Sequence, residues 1–572
     1  MVVIPILIAV LLGRYVCTSG EDGWVALSAF QADAQWLVDA SSALICPTVL
    51  LALAACVFGS ALVAYVFVRV VDAKYRRLVG SNTVDVSPWV QEPNGASFAS
   101  RAKLLFTHYM SAGGALPRDT PVELGEHAST FMPGLRITVR DGSTPDSVPL
   151  ALGRMKPTRS CKPIVVGTIR MGFGHHRIAY AACSWSVENG GGRASTGNSP
   201  TYFHDLLNID SPEATLVRDM DKMYSKGSRL ASEMGGPVEA LWGALTMSGS
   251  ADSLRATYQM AETVKPLLLG LPKDTPIVAT HCLVALAAVA AGFEHVINLV
   301  IDNYAQWFIV VPGALNLVQG PTNFANLLKM GVPPEELRLV GHWIPRDLVD
   351  NIEKDCAARV ARCGRGAPLR VLVPVGGAGA QRKFVSALVA ALAPRVKAGD
   401  VQLWLNAGDH VHMRDAFIAQ LAQCKLDHSV VDTMEGVHAF CDARRAGKEP
   451  DSAVTLFAFE AYFPAVAATD ILCRVTDVLA CKPSELAFYP VPKLMIRRVG
   501  DHEQFSANRA SELGDGTQEA RTTEDALHFV SVFKDIPGSP LLVSMNECIV
   551  ANVKIGVYDG CKEAIEIARS MR

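Results

Sequence analysis

Eight apolar runs of strand length, spaced through residues 162 to 500 and separated by helical patterns, constrain this chain more than any other feature. They read KPIVVGTI from 162, TPIVATHC from 275, HVINLVID from 295, LRLVG from 337, LRVLVPV from 369, VQLWLNAG from 401, DVLACK from 477 and KLMIRRV from 493. Runs without polar alternation belong to strands buried on both faces, as in parallel sheets covered by helices. The intervening segments agree: RKFVSALVAALA sets Phe384, Leu388 and Leu392 on one helical face. An α/β class with repeated β-α units in doubly wound sheets follows. A chain of 572 residues exceeds what one core supports. The strand series divides at RCGRGAP, residues 362–368, which predicts two Rossmann-like domains, 161–362 and 367–540, with a ligand cleft between them.

A membrane segment precedes them. Hydrophobic residues make up 50% of the chain and charged ones 19%, with a mean hydropathy of +0.22. Residues 44–68, LICPTVLLALAACVFGSALVAYVFV, carry no charge and are long enough to cross about 30 Å of hydrocarbon. Arg69, Lys74, Arg76 and Arg77 follow, whereas residues 19–43 hold Glu21, Asp22, Asp33 and Asp39 without Lys or Arg. That asymmetry places the later domains on the cytoplasmic face. The opening MVVIPILIAVLLGRYVC reads either as a first short span or as a signal-peptide core, so residues 1–80 are expected to be an anchor of one or two transmembrane helices. Residues 81–160, rich in Pro, Gly, Ser and Asp, read as a linker or accessory segment. ENGGGRASTGNSP, 188–200, reads as a flexible loop near the cleft, and 541–572 as a C-terminal helical segment that crosses back to the first domain. A net charge of −3 and no basic stripe with interleaved aromatics argue against nucleic acid as a partner. The 14 cysteines lack metal-ligand spacing, which predicts buried thiols in a reducing compartment.

The chemistry concentrates in GTIRMGFGHHRIAYAACSW, residues 167–185. Gly172 and Gly174 allow close backbone approach between a strand and a helix starting near His175, where helix N–H groups favour an anion. Arg177 stands where a dinucleotide fingerprint needs its third glycine, so NAD is disfavoured. A histidine at a helix N-terminus is held neutral by the positive dipole end, leaving it able to take a proton; the alternative is that one of His175 and His176 caps the helix while the other packs. VPVGGAGAQRKF repeats the strand, glycine turn and helix in the second domain. The pair Asp219 and Asp221 in RDMDK reads as solvated helix surface, and Asp409, His410 and His412 in DHVHM as loop, so no metal is expected. Asp302, Trp307 and His281 each have a bland alternative as turn cap, core aromatic and hydrogen-bonded core histidine.

Four blocks in one order, GFGHHRIA, HVINLVIDNYAQWFIVVPGALNLVQGPTNFANLLKMGVPPEELRLVGHWIP, VPVGGAGAQR and TDVLACKPSELAFYPVPKLMIRRVGDHEQFSANRASELGDG, resemble the GT-B glycosyltransferases grouped around monogalactosyldiacylglycerol synthase and the lipid II-forming N-acetylglucosaminyltransferase. The resemblance covers roughly residues 160–540. It implies His175 and Asp302 as catalytic residues, with Gly172, Gly174, His176 and Trp307 on the acceptor side. On the donor side it implies Gly376, Gly377, Gly379, Arg382, Ser484, Glu485, Glu503 and Gln504, with Glu485 holding the nucleotide ribose, Arg382 near the diphosphate and Asn508 one turn beyond Gln504. The turn CKPSEL is several residues shorter than the resemblance leads one to expect, and Lys482, Arg497 and Arg498 are candidate substitutes for its lost donors. The resulting expectation is a membrane-anchored, inverting, metal-independent transferase that moves a sugar from a nucleotide-sugar, UDP-linked, to a lipid or membrane-proximal acceptor. No cofactor beyond that co-substrate is expected. The alternatives are a non-catalytic nucleotide-sugar or glycolipid sensor or scaffold, and a nucleotide-sugar epimerase.

Overall fold

A computed structural model describes residues 47–80, 98–112, 118–152, 163–187, 200–238, 242, 251–376, 379–536 and 540–571. The expectations for residues 1–43 and for most of the 188–200 loop fall outside these. The chain divides into one unit ending at Arg76 and a second from Arg77 to Arg572. In the first, the uncharged run forms helix Pro47–Val79, and 26 residues of it, Ala54–Val79, are long and apolar enough to cross a membrane. Leu51, Phe58, Leu62, Val63, Tyr65 and Phe67 are exposed along it. The helix continues through Arg69, Lys74, Arg76 and Arg77, so the basic cluster is carried on a helical extension.

The second unit is built on two sheets. The first contains β1 (Leu124–Ala128), β2 (Leu135–Arg140), β3 (Val148–Pro149), β4 (Ile164–Thr168), β5 (Thr201–Asp205), β6 (Ile277–Ala279), β7 (Val296–Leu299), β8 (Leu315–Val318) and β9 (Leu337–Leu339). Their order is β3-β1-β2-β5-β4-β6-β7-β8-β9, parallel from β2 to β9 and antiparallel at the β1 and β3 edge. All five β4 residues are buried because both faces are covered. Val165 packs with the helices Ala251–Val264 and Cys282–Ala290, while Ile164 and Val166 pack with Gly174–Ser186. The Cys282–Ala290 helix, CLVALAAVA, is apolar all round and correspondingly buried.

The segment expected to be a linker is part of this sheet. β1 to β3 fall within 81–160 and extend it, and helix Phe98–Ala112 packs on Ala251–Val264. Their half-polar sequences, LGEHA and LRITVR, suit an antiparallel edge with one wet face and so lack the apolar run that marks a central strand.

The second sheet holds β10 (Leu369–Pro374), β11 (Val401–Gly408), β12 (His428–Val431), β13 (Val454–Ala458), β14 (Val478–Cys481) and β15 (Lys493–Met495). It is parallel throughout, in the order β12-β13-β11-β10-β14-β15. After it the chain returns: helix Gly560–Ser570 buries Cys561, Ala564, Ile565 and Ala568 against Ile178, Val340 and Trp343 of the first core, and Arg569 Nη2 donates to the Ser186 carbonyl at 2.7 Å. Two Rossmann-like sheets joined by a returning C-terminal helix constitute a GT-B type fold.

Each sheet has a point where strand order reverses. β4 lies between β5 and β6, and β10 between β11 and β14. The loops leaving β4 and β6 therefore diverge, as do those leaving β10 and β14, and each divergence opens a crevice at the carboxyl ends of the strands.

Candidate active site

A cavity of about 580 Å³ lies where the two crevices meet, within the usual range for small-molecule sites. Met171 to His175 after β4, Thr280 to Leu283 after β6, and Asn298 to Asp302 on β7 and after it line one side; Gly376, Ala380 and Gln381 after β10, and Lys482 to Glu485 after β14, line the other. Helices of eight residues or more that begin at its wall include Gly174–Ser186, Cys282–Ala290, Arg382–Lys397 and Gln504–Glu512. The backbone N–H groups at such helix starts favour an anionic ligand group.

His175 opens the first of these helices. Its Nδ1 is 2.7 Å from the Thr280 carbonyl, so Nδ1 carries the proton and Nε2 is left with a lone pair. Burial lowers its pKa, against smaller opposing effects from that hydrogen bond and from Asp302 and Glu485. The ring is thus neutral at physiological pH. His281 lies beside it, ring centroids 4.4 Å apart, and caps the next helix by accepting from the Leu283 N–H at 3.0 Å. The bland reading of His281 as a hydrogen-bonded histidine holds for Nδ1, yet the same ring lines the cavity.

Glu485 also reaches the cavity, but its carboxylate is engaged. Arg177 of the first domain, 2% exposed, donates Nη1 to Glu485 Oε1 at 2.7 Å, donates Nη2 to the Val466 carbonyl and Thr469 Oγ1 at 3.3 Å, and lies 3.5 Å from Asp470. Burial pushes Asp470 up to about 6 despite Arg177. Burial also raises Glu485, but Arg177 and Lys482 outweigh it and the carboxyl titrates below its ordinary range. Approach at this seam is close: a Cβ on Gly174 would stand 3.1 Å from Glu485 Oε2. The residue that breaks the dinucleotide fingerprint is therefore an interdomain ion-pair partner.

Glu503 lines the cavity with its oxygens committed to the Lys482 ammonium and to the Val499 N–H at 2.8 Å. Ser484 lines it just before a single 3-10 turn, Glu485–Phe488. Asp302 lines it after β7, its own carbonyl accepting from Asn323 Nδ2 at 2.9 Å. Gly172, Gly174 and Gly376 line it as expected.

Other expected residues are elsewhere. His176 turns away from the cavity to Asp205, 3.2 Å distant, between Phe203 and Tyr462; successive helix residues point about 100° apart, so adjacent histidines do not share a face. Trp307 packs against core residues while Gln306, Phe308 and Ile309 line the cavity. Arg382 is half-exposed and pairs with Glu233 at 2.9 Å. Gln504 and Asn508 face a separate polar surface depression with Arg498 and Glu519. Gly377 lies outside the described residues. Gly379 faces His412 instead, whose Nε2 donates to its carbonyl at 2.9 Å, just as His410 Nε2 donates to the Gly376 carbonyl at 3.1 Å. The DHVHM histidines thus brace the glycine turn, and among the described residues no group of three or more His, Cys, Asp and Glu is placed to hold a metal.

Asp221, expected on the solvated surface with Asp219, lines the cavity. Burial raises its pKa. Its spacing to Ser225 and Ser228, i, i+4 and i+7 on helix Pro212–Met234, was the available signal, since it sets the three on one face. Asp219 is exposed and pairs with Lys222 at 3.0 Å.

Two family models match the chain. Residues 136–328 match a domain of unknown function, DUF6937, and residues 332–569 match a second, DUF6938. No curated protein matches. Among solved structures, the chain is similar to UDP-GlcNAc 2-epimerase from Neisseria meningitidis bound to UDP-GlcNAc, at 10% identity and a TM-score of 0.41 over 71% of this chain and 98% of that one. It is similar to Anabaena HepE in complex with UDP and glucose, at 12% identity and a TM-score of 0.34 over 71% and 98%. It is also similar to trehalose-6-phosphate synthase, at 11% identity and a TM-score of 0.34 over 72% and 99%.

Proposed function

We propose that the protein is a membrane-anchored glycosyltransferase that moves a sugar from a nucleotide-sugar, UDP-linked, to a lipid or membrane-proximal acceptor in an inverting, metal-independent reaction. The observation that carries this reading is a neutral His175, its Nε2 without a partner among the described residues, at a cavity where helix N-termini from both sheets converge. In the proposed reaction His175 takes the proton of an acceptor hydroxyl as its oxygen attacks the anomeric carbon, and the bond to the nucleotide diphosphate breaks on the opposite face. The helix N-termini, Lys482 and Ser484 balance the charge that develops on the departing diphosphate. Asp302 favours the imidazolium that forms. Val217, Trp242, Met260, Leu283 and Phe308 on the first-domain side offer apolar surface to an acceptor. Helix Pro47–Val79 would hold the cavity near the bilayer and raise the effective acceptor concentration, with the catalytic unit on the cytoplasmic face.

Glu485 commits Oε1 to Arg177, and in this reading its other oxygen takes the ribose. That pairing also favours a second reading, a module that binds a nucleotide-sugar without turnover. One set of measurements separates them: calorimetry of the full, detergent-solubilised chain with UDP and UDP-sugars, alongside transfer of radiolabelled sugar into extractable lipid. Gly376→Leu, which projects a side chain into the cavity against the Lys482 stem, is expected to abolish nucleotide binding. His175→Ala is expected to keep binding and lose transfer by about 10²–10⁴-fold. Binding with no transfer by the unaltered protein would establish the second reading, and no uridine nucleotide binding at all would overturn the first.

A further inference from the structure

The backbone fixes His175 and His281 in opposite tautomers. A carbonyl can only accept, so His175 Nδ1, 2.7 Å from the Thr280 oxygen, is protonated and its Nε2 is an acceptor. A backbone N–H can only donate, so His281 Nδ1, 3.0 Å from the Leu283 nitrogen, is unprotonated and the Nε2 of the neutral ring is a donor. Both rings line the same cavity with centroids 4.4 Å apart, so an accepting Nε2 and a donating Nε2 belong to neighbouring rings at one ligand space.

We infer that His175 and His281 form a hydroxyl-recognising pair, in which a ligand O–H donates to His175 Nε2 while its oxygen accepts from His281 Nε2–H. The acceptor class of the cavity is therefore an alcohol. An ammonium has no lone pair for His281, and an ether has no proton for His175; each leaves one buried imidazole nitrogen unpaired. Burial supports the neutral state of both rings: it holds His281 well below the ordinary histidine range, with His175 adding to the effect. The charged and titratable groups that bear on His175 are Asp302, Glu485 and His176, with the neighbouring His281 ring. The inference rests on His175 facing the acceptor, as in the proposed reaction, yet it requires no sugar donor and is tested without one.

The test is nitrogen NMR of selectively histidine-labelled full-length protein in detergent, with His175 and His281 assigned by substitution, titrated at pH 7 with 1-hexanol, hexylammonium and methyl hexyl ether. The resting spectrum is expected to show the Nδ1–H tautomer for His175 and the Nε2–H tautomer for His281. Hexanol is expected to shift both Nε2 signals, with a dissociation constant at least about tenfold lower than that of either other probe. His281→Asn separates the two jobs of the residue, because asparagine is a good helix N-cap but carries no donor to the His281 Nε2 position. That variant is expected to keep the melting temperature and lose the hexanol preference. The inference is overturned by the opposite tautomer on either ring, by probes that bind equally, or by a His281→Asn protein that still prefers hexanol. Failure of UDP-sugar binding would count against the transferase reading alone.

Discussion

Arg177 shows how much one side chain decides in this molecule. Its guanidinium is buried where two domains meet and faces Glu485 and Asp470, with Tyr489 Oη donating to Asp470 Oδ1 at 2.8 Å. A buried pair of this kind contributes little net stability while intact, but removing one partner leaves an uncompensated buried charge. Arg177→Met is expected to lower the unfolding free energy by about 3–5 kcal/mol in denaturant titration, and adding Glu485→Gln to recover part of that loss. Recovery separates charge imbalance from loss of packing, since the double variant still lacks the guanidinium stem. Arg177→Lys is not a conservative control, because an ammonium cannot reproduce the forked contacts to a carboxylate, a carbonyl and a hydroxyl at once.

At the scale of elements, the site depends on turns held in place by neighbours. The turn between β10 and helix Arg382–Lys397 uses Gly379 at φ +60°, where a Cβ would stand 2.5 Å from His412 Cε1. Two separate costs meet there, a left-handed backbone and a contact. Gly379→Ala is expected to cost about 1–2 kcal/mol from the backbone alone, with a further loss from displacing His412. In a double-mutant cycle the two changes should not add: on a His412→Ala background, Gly379→Ala retains only its backbone cost. Additive losses would mean that His412 does not restrain the turn. The same logic explains why CKPSEL can be short. β14 ends directly at the strand reversal beside β10, so Lys482 to Ser484 line the cavity before the 3-10 turn Glu485–Phe488 begins.

At the scale of the whole molecule, the last helix belongs to the first core. Ile565 is 1% exposed among Ile178, Val340 and Trp343, more than 60 residues after the second sheet closes. Ile565→Ala is expected to cost about 2–5 kcal/mol, and hydrogen exchange should accelerate in β4 and β6. Faster exchange confined to β10 and β11 would contradict this assignment.

Sequence legibility followed local physics. Apolar runs declared β4, β6, β7, β9, β10, β11, β14 and β15, all but the edge strand β9 buried, and the uncharged run at 44–68 declared its helix, because a strand covered on both faces and a helix free of charge each leave a continuous apolar signature in the chain itself. His175, Gly172, Gly174 and Gly376 were readable for a related reason: they occupy strand–turn–helix junctions that recur in sequence. The half-polar strands β1 and β2, at the antiparallel margin of the first sheet, left no such run. The Arg177–Glu485 pair joins residues 308 positions apart, the His175–His281 pair joins two separate crossovers, and the rotation that sent His176 and Trp307 into packing while turning Asp221 inward depends on which helix lies opposite. Those are properties of contacts between distant segments. Local pattern marked the membrane-length helix, eight of the fifteen described strands and the glycine turns between strand and helix; which side chains share the cavity follows from sheet order and interdomain packing, which no local pattern encodes.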